Sequence, residues 1–191
     1  EADGRMGAAF PADVRIRGNQ SSSTLYPQKS VVLHLRASYG QAEAAYPFFS
    51  ENAFDTVSAL VLRNSGQEGG STRLRDAFCT RLCAGLRFDT ARNRLVAAYC
   101  NGTYWGLYYL TEQLNEEYFA KKTGADEDDI EIYDQAQGLM TGSGAGHAAA
   151  IRFIREHDLS DDTAFAEFSH LVDVDSLTDC IIAKTFLSDA D

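Results

Sequence analysis

The sequence predicts an α+β fold in which an antiparallel sheet precedes a group of helices. Three observations lead to this prediction. Apolar residues alternate with polar ones in short stretches around Val14–Ile16 and Val31–Leu35, which is typical of strands. The dipeptide Asn101-Gly102 separates two longer apolar stretches and indicates a tight hairpin turn. After residue 147, apolar residues recur at helical spacing instead.

The composition is that of a folded, acidic protein. Hydrophobic residues make up 45% of the 191 residues and the formal net charge is −11. The apolar content excludes a disordered chain, and the negative charge argues against a nucleic-acid partner, whose phosphate backbone would repel it. No apolar run approaches the roughly 20 residues of a membrane span. We therefore expect no nucleic acid and no membrane span, and the oligomeric state is left open.

The four cysteines, at positions 79, 83, 100 and 180, show no metal-binding pattern. They lack the paired spacing and the neighbouring histidines of a zinc site. A disulfide between Cys79 and Cys83 is disfavoured because a helix directs their Cβ atoms poorly toward each other. We expect all four to be small core residues.

The segment from Val14 to Leu35 predicts two strands joined by a polar loop. Period-two counting places Lys29 on the same face as Val31, Leu33 and Leu35, which is the apolar face. A buried ammonium requires a carboxylate, a phosphate or a route back to water. Alternatively, Lys29 opens the strand at its edge and its side chain extends into solvent.

The elements that follow are predicted from local signals. Residues 1–12 are rich in Gly and Ala and predict a loop or flexible start. Residues 58–64 predict a third strand, after which Ser71 is a possible N-cap for a helix of about 14 residues that ends at Gly85. The Arg and Asp residues in this helix form either a solvated face with a local ion pair or a set that supports a site.

Residues 95–110 predict a hairpin whose second strand is aromatic enough to be an interior strand. Thr111 or Asn115 then caps a helix that runs to Lys122, with Gly124 beyond its end. Glu112 falls at the junction between strand and helix. Its carboxylate either complements the helix dipole or reaches across the sheet to Lys29.

A lobe boundary is predicted at the linker of residues 135–146. It divides the chain into a sheet-rich part at 13–140 and an incomplete helical part at 141–191. Three helices are expected in the helical part, at 148–157, 162–171 and 175–187. The Gly-rich residues 142–146 could cradle a phosphate but lack the lysine of a P-loop. Asp191 follows the last helix, where its carboxylate is either solvated or compensated by a cation such as Mg²⁺ or an arginine.

Lys29, Glu112 and Asp191 follow one another along the chain. The catalytic Lys, Glu and Asp of a protein kinase occur in the same order. Several segments are similar in sequence to the motifs of one family. They are Arg15-Ile-Arg-Gly-Asn19, Tyr26-Pro-Gln-Lys-Ser30, Leu62-Arg-Asn64, Asn101-Gly-Thr-Tyr-Trp-Gly-Leu-Tyr108 followed by Glu112, Asp158-Leu-Ser-Asp161 and Val172-Asp-Val-Asp175. Together they resemble the CotH spore-coat kinase family, over about Val14 to Asp191.

The resemblance implies an atypical protein-kinase-like fold, with an antiparallel-sheet N-lobe followed by the start of a helical C-lobe. It implies a transferase that uses ATP and Mg²⁺ to phosphorylate Ser or Thr of a protein substrate, in an extracellular location or on a spore coat. Lys29 would contact the phosphates, Glu112 would pair with Lys29, and Asp191 would be the catalytic carboxylate. The phosphate-side loop would include Gly18, Asn19, Ser21, Ser22 and Ser23. The metal ligands stay unknown.

The sequence departs from the family in two places. Gln28 stands where a lysine is common, and the sequence stops at Asp191, before the Asn and the metal-binding Asp that follow in the family. We therefore expect a domain truncated at the catalytic Asp, with little or no phosphoryl transfer by these residues alone. An alternative is a non-catalytic extracellular scaffold or binding module with the same fold. A third possibility is an α+β domain in which Lys29 and Glu112 never meet.

Overall fold

The structure is a computed structural model that describes residues 4, 6–18, 26–49, 54, 56–66, 68, 71–134 and 137–188. The chain divides into two compact units. The first, which we call the sheet unit, comprises Glu1–Leu82 and Thr90–Gln113. The second, the helical unit, comprises Cys83–Asp89 and Leu114–Asp191. The boundary predicted at residue 140 falls inside the helical unit.

The sheet unit is built on seven described strands and one described α-helix. In chain order these are β1 (Asp13–Arg17), β2 (Ser30–His34), β3 (Ala44–Ala45), β4 (Thr56–Val57), β5 (Ala59–Arg63), α1 (Arg75–Leu82), β6 (Asn93–Cys100) and β7 (Thr103–Glu112). Five of the strands form one antiparallel sheet in the order β1-β2-β5-β7-β6, and β3 pairs with β4. The strands predicted around residues 14, 31, 60 and 95–110 are therefore confirmed.

One face of the large sheet carries the hydrophobic core. Leu60, the second residue of β5, pairs with Leu33 of β2 on one side and with Glu112 of β7 on the other. Side chains from the connection between β2 and β4 cover this face, including buried Phe48 and Phe49. Paired residues in an antiparallel sheet point to the same side. The register therefore decides which polar residues border the core.

The β6–β7 hairpin turns at Asn101 and Gly102, as predicted. Their φ angles of 50° and 80° are those of a type I′ turn, in which both central residues take the left-handed conformation. β7 is an interior strand, because β5 and β6 pair with its two edges. Its first residues are nevertheless largely exposed, including Tyr104 and Trp105. The strand is therefore interior by its pairing, as predicted, but only its second half is largely buried.

Helix α1 is shorter than predicted, with 8 residues instead of about 14. Leu74, Phe78 and Leu82 are exposed, so the apolar spacing that suggested a packed helix does not mark a buried face. Asp76 pairs with Arg63 of β5 and not with an arginine of its own helix. The local ion pair proposed from the sequence is therefore wrong.

The helical unit contains four helices and a small hairpin among its described residues. The elements are α2 (Glu116–Thr123), β8 (Ile132–Asp134), β9 (Gly138–Thr141), α3 (Ala145–Glu156), α4 (Asp162–Leu171) and α5 (Val174–Leu187). The Asn115 side chain accepts a hydrogen bond from the Tyr118 N–H at 3.1 Å, and Gly124 ends α2 at φ 73°, so the predicted caps are confirmed. Strand β9 was not predicted. In the described part of the chain, no helix is both long and apolar enough to cross a bilayer.

The Gly-rich segment before α3 binds a carboxylate of the chain itself. Glu131 accepts hydrogen bonds from the N–H groups of Ser143, Ala145 and Gly146 at 3.1, 3.0 and 3.0 Å. The Ser143 hydroxyl and these backbone donors lower the pKa of Glu131. The backbone N–H groups that we considered as phosphate donors therefore donate to Glu131 instead.

The cysteines differ in exposure. Cys83 is buried, Cys79 and Cys180 are half-buried, and all four are thiols, not disulfides. Cys100 is exposed next to the hairpin turn. The prediction that all four belong to the core is therefore right for Cys83 and wrong for Cys100, because β6 is the edge of the sheet.

Candidate functional site

Lys29 lies at one end of the sheet, just before β2, and its side chain is half-buried. Val31, two residues later, pairs with Ile16 of β1 and Leu62 of β5. Continuing this register by two residues brings Lys29 level with Gly18 and Asn64, where β1 and β5 end. Gly18 has φ 102°, a conformation that favours glycine. The chain thus leaves β1 beside Lys29.

Five other predicted site residues lie outside the described part of the chain. They are Asn19, Ser21, Ser22, Ser23 and Asp191. Their assignments to a phosphate-side loop and to a catalytic carboxylate stay predictions. Of the predicted set, the structure brings Gly18 and Lys29 to the same end of the sheet.

Glu112 is the last residue of β7 and does not begin the following helix. Its side chain is only 6% exposed, and its partner Arg92 is 35% exposed. The Arg92 guanidinium donates to both carboxylate oxygens at 3.2 and 3.3 Å, and the Arg92 N–H donates to one of them at 3.3 Å. A buried carboxylate requires such compensation. Sequence reasoning missed Arg92.

The sheet register does not bring Lys29 and Glu112 together. They share a face, because Val31, Leu62 and Leu110 pair in one row and each of the two residues lies two positions from that row. However, Lys29 and Glu112 are displaced from this row in opposite directions along the strands, and β2 and β7 are two strands apart. Standard strand spacing then separates their Cα atoms by about 17 Å. The register alone therefore does not place the two side chains in contact, and their ion pair stays a prediction.

Beyond the end of β5, two polar side chains bond to the edge of β7 that has no strand partner there among the described residues. The last pair between β5 and β7 joins Arg63 to Tyr109, so Leu107 lies beyond the end of β5. The Leu107 carbonyl accepts from Gln28 Nε2 at 2.6 Å and from Arg73 Nη1 at 3.2 Å. Arg73 also donates to Gln28 Oε1 at 2.9 Å. Gln28 thus contributes hydrogen bonds at the end of the sheet.

Gly106 permits this close approach. Its φ is 143°, and a Cβ atom there would lie 2.9 Å from Gln28 Nε2. The neighbouring Tyr108 is 1% exposed and packs on Trp105 with 5.5 Å between ring centroids. Burial raises the pKa of Tyr108, opposed by the nearby Gln28 amide and the Arg73 charge. Lys29 therefore directly follows a tightly packed residue.

The donor set at this end of the sheet suits an anionic phosphate. A half-buried lysine level with a glycine of positive φ combines a cation with a backbone that can approach a ligand closely. For the metal, no group of three or more His, Cys, Asp or Glu side chains is suitably arranged within the described ranges. We therefore assign no Mg²⁺ ligands among these residues.

The architecture and the sequence comparison define the class of protein. An antiparallel five-stranded sheet followed by helices is consistent with a kinase-like N-lobe and the helices after it. Residues 14–191 match the family described as CotH kinase protein. The chain therefore belongs to the CotH kinase family. A search of curated proteins returned no match.

Proposed function

We propose that this chain binds ATP at the end of the sheet marked by Gly18 and Lys29. The protein would act as a CotH-type kinase that transfers the γ-phosphate to Ser or Thr of a protein substrate. The observation that carries the proposal is the half-buried Lys29 at the level where a positive-φ glycine, Gly18, follows β1. Membership of the CotH kinase family supports it independently.

Each proposed residue has a distinct task. The Lys29 ammonium would bind phosphate oxygens and hold the triphosphate in line with the acceptor hydroxyl. Phosphoryl transfer depends mainly on such positioning and on charge stabilisation. Asp191 would accept the proton of the acceptor hydroxyl. Mg²⁺, when bound, supplies positive charge that neutralises the phosphates.

The remaining family properties belong to the proposal as well. The substrate would be a protein that presents Ser or Thr hydroxyls, located outside the cytosol or on a spore coat. Support for both comes from the family match alone. The non-catalytic scaffold is the alternative, and ATP binding separates the two.

The first experiment measures ATP binding by isothermal titration calorimetry, with Mg²⁺ present. A charge-assisted hydrogen bond contributes about 1.5 to 3 kcal/mol, so Lys29→Ala is expected to weaken ATP binding about 10- to 150-fold. Lys122→Ala is the matched control, because it removes the same charge from α2, where Lys122 pairs with Asp89. Absence of ATP binding by the wild type, or equal binding by Lys29→Ala, would overturn the proposal.

The second experiment measures transfer of labelled phosphate from ATP to casein, a protein rich in Ser hydroxyls. Sequence analysis predicts little or no transfer by these residues alone. Transfer that requires ATP, disappears with EDTA and is abolished by Lys29→Ala would contradict that prediction of inactivity while supporting the kinase assignment.

A further inference from the structure

Asn64 is a buried polar residue at the point where β5 ends. Its exposed fraction is 1%, although asparagine is usually found at the surface. The chain turns away immediately after it, through Ser65 and Gly66 with φ of 73° and 54°. A buried amide at such a position requires hydrogen-bond partners.

The Asn64 side chain bonds to the residues on both sides of Lys29. Its Nδ2 donates to the Gln28 carbonyl at 2.7 Å. Its Oδ1 accepts from the Ser30 hydroxyl at 2.8 Å, and the same hydroxyl accepts from the Asn64 backbone N–H at 3.0 Å. These bonds hold the peptide carbonyl that precedes Lys29 and the side chain of the residue that follows it.

Two further contacts extend this arrangement. The Gly66 N–H donates to Asn64 Oδ1 at 2.9 Å, which ties the loop after β5 to the same amide. The Gln28 side chain is held separately at the Leu107 carbonyl, at 2.6 Å. Gln28 is thus fixed through its main chain by Asn64 and through its side chain by β7. Since Ser30 is buried and pairs with Arg17 of β1, the residues on either side of Lys29 both have fixed partners.

We infer that Asn64 is a positioning residue, which fixes the backbone of Lys29 so that its ammonium meets the phosphates of ATP. The inference rests on the proposed function. A lysine side chain is long and flexible, so a fixed backbone removes part of its freedom before the ligand arrives. Displacements of about 1 Å at a binding or reacting group can cost about 100-fold. Asn64 acts through Lys29 and is not itself assigned a contact with ATP.

The test compares ATP with adenosine in Asn64→Asp. This variant keeps the shape and the Oδ1 acceptor, but places an oxygen where Nδ2 donates to the Gln28 carbonyl. We expect ATP to bind at least about tenfold more weakly and adenosine to bind as in the wild type. A purely structural defect would weaken both ligands. Asn93→Asp, the same change at the start of β6, is the control and should leave both affinities unchanged.

A double-mutant cycle decides whether Asn64 acts through Lys29. In Lys29→Ala, the further change Asn64→Asp should leave ATP affinity unchanged. An equal loss in both backgrounds, or no loss in Asn64→Asp alone, overturns the inference while the proposed function stands. No ATP binding by the wild type overturns both. If Asn64→Asp does not fold, Ser30→Ala replaces it in the same cycle, because it removes the hydroxyl that contacts Asn64.

Discussion

Replacing Arg92 by alanine tests whether Glu112 is compensated within the sheet unit. Glu112 is 6% exposed and Arg92 is 35% exposed. Removing one partner of a buried ion pair costs about 3 to 5 kcal/mol. Because water reaches Arg92, we expect the lower end of this range, about 3 kcal/mol. The loss comes from the carboxylate that stays buried, not from the attraction alone.

A second variant separates the charge from the packing. In Arg92→Met with Glu112→Gln, the pair becomes neutral while the volume of both side chains is nearly kept. We expect this double variant to be more stable than Arg92→Ala, because it contains no buried carboxylate that has lost its guanidinium partner. Arg15→Ala is the control. Its contact with Asp13 is exposed, and its loss should cost less than about 1 kcal/mol.

The assay is urea unfolding followed by tryptophan fluorescence. Trp105 is the single tryptophan of the chain and lies in β7, so the signal reports the sheet unit. A free energy of unfolding for Arg92→Ala within about 0.5 kcal/mol of the wild type would refute the reasoning. So would a double variant less stable than Arg92→Ala.

Two other predictions concern the helical unit and the thiols. The pKa of Glu131 is held below its ordinary 4.5, so its hydrogen bonds to α3 persist above that value and are lost as the pH falls through the lower, folded-state pKa. In an NMR titration, the chemical shift of the Gly146 amide should change with a pH midpoint that equals the folded-state pKa of Glu131. This pH-dependent change should be absent in Glu131→Gln. A midpoint at or above 4.5 contradicts the assignment. In native protein, maleimide should label exposed Cys100 before buried Cys83, and equal rates would contradict the burial.

The fold was predictable wherever neighbouring residues specify the backbone. Asn101-Gly102 forms the expected turn, and Asn115 with Gly124 delimits α2. In each case the φ values or the capping oxygen are properties of the residues at that position. Strand β9 was missed because its four residues carry no alternating pattern and form a strand only by pairing with β8.

The candidate site was predictable in part. Period-two counting predicted the face of Lys29, and the pairs that β2 forms begin at Ser30 and Val31, so the direction of the Lys29 side chain stays a prediction. Asn64 and Arg73 were not assigned their contacts, because these arise across 36 and 45 residues of sequence. Asn64 had one available signal, a polar residue directly after an apolar strand. Its burial could not be read from that position alone.

The partner of Glu112 depends on one irregularity in the sheet. Counting outward from the turn pairs Cys100 with Thr103 and Tyr99 with Tyr104, and it would continue to Arg92 with Thr111. Instead, a bulge shifts the register, so that Ala98 pairs with Gly106 and Asn93 with Thr111. Arg92 then lies beside Glu112, and the Glu112 N–H donates to the Arg92 carbonyl at 2.9 Å.

The sequence by itself determined the turn, the caps and the alternation of Val31, Leu33 and Leu35 in β2, because each depends on residues close together in the chain. Only the tertiary structure decided the register beyond the bulge and therefore which cation compensates Glu112. A shift of one residue moves a side chain to the opposite face of a sheet. Here the shift occurs beside Gly106, where the distant Gln28 packs against β7, and no local pattern contains that contact.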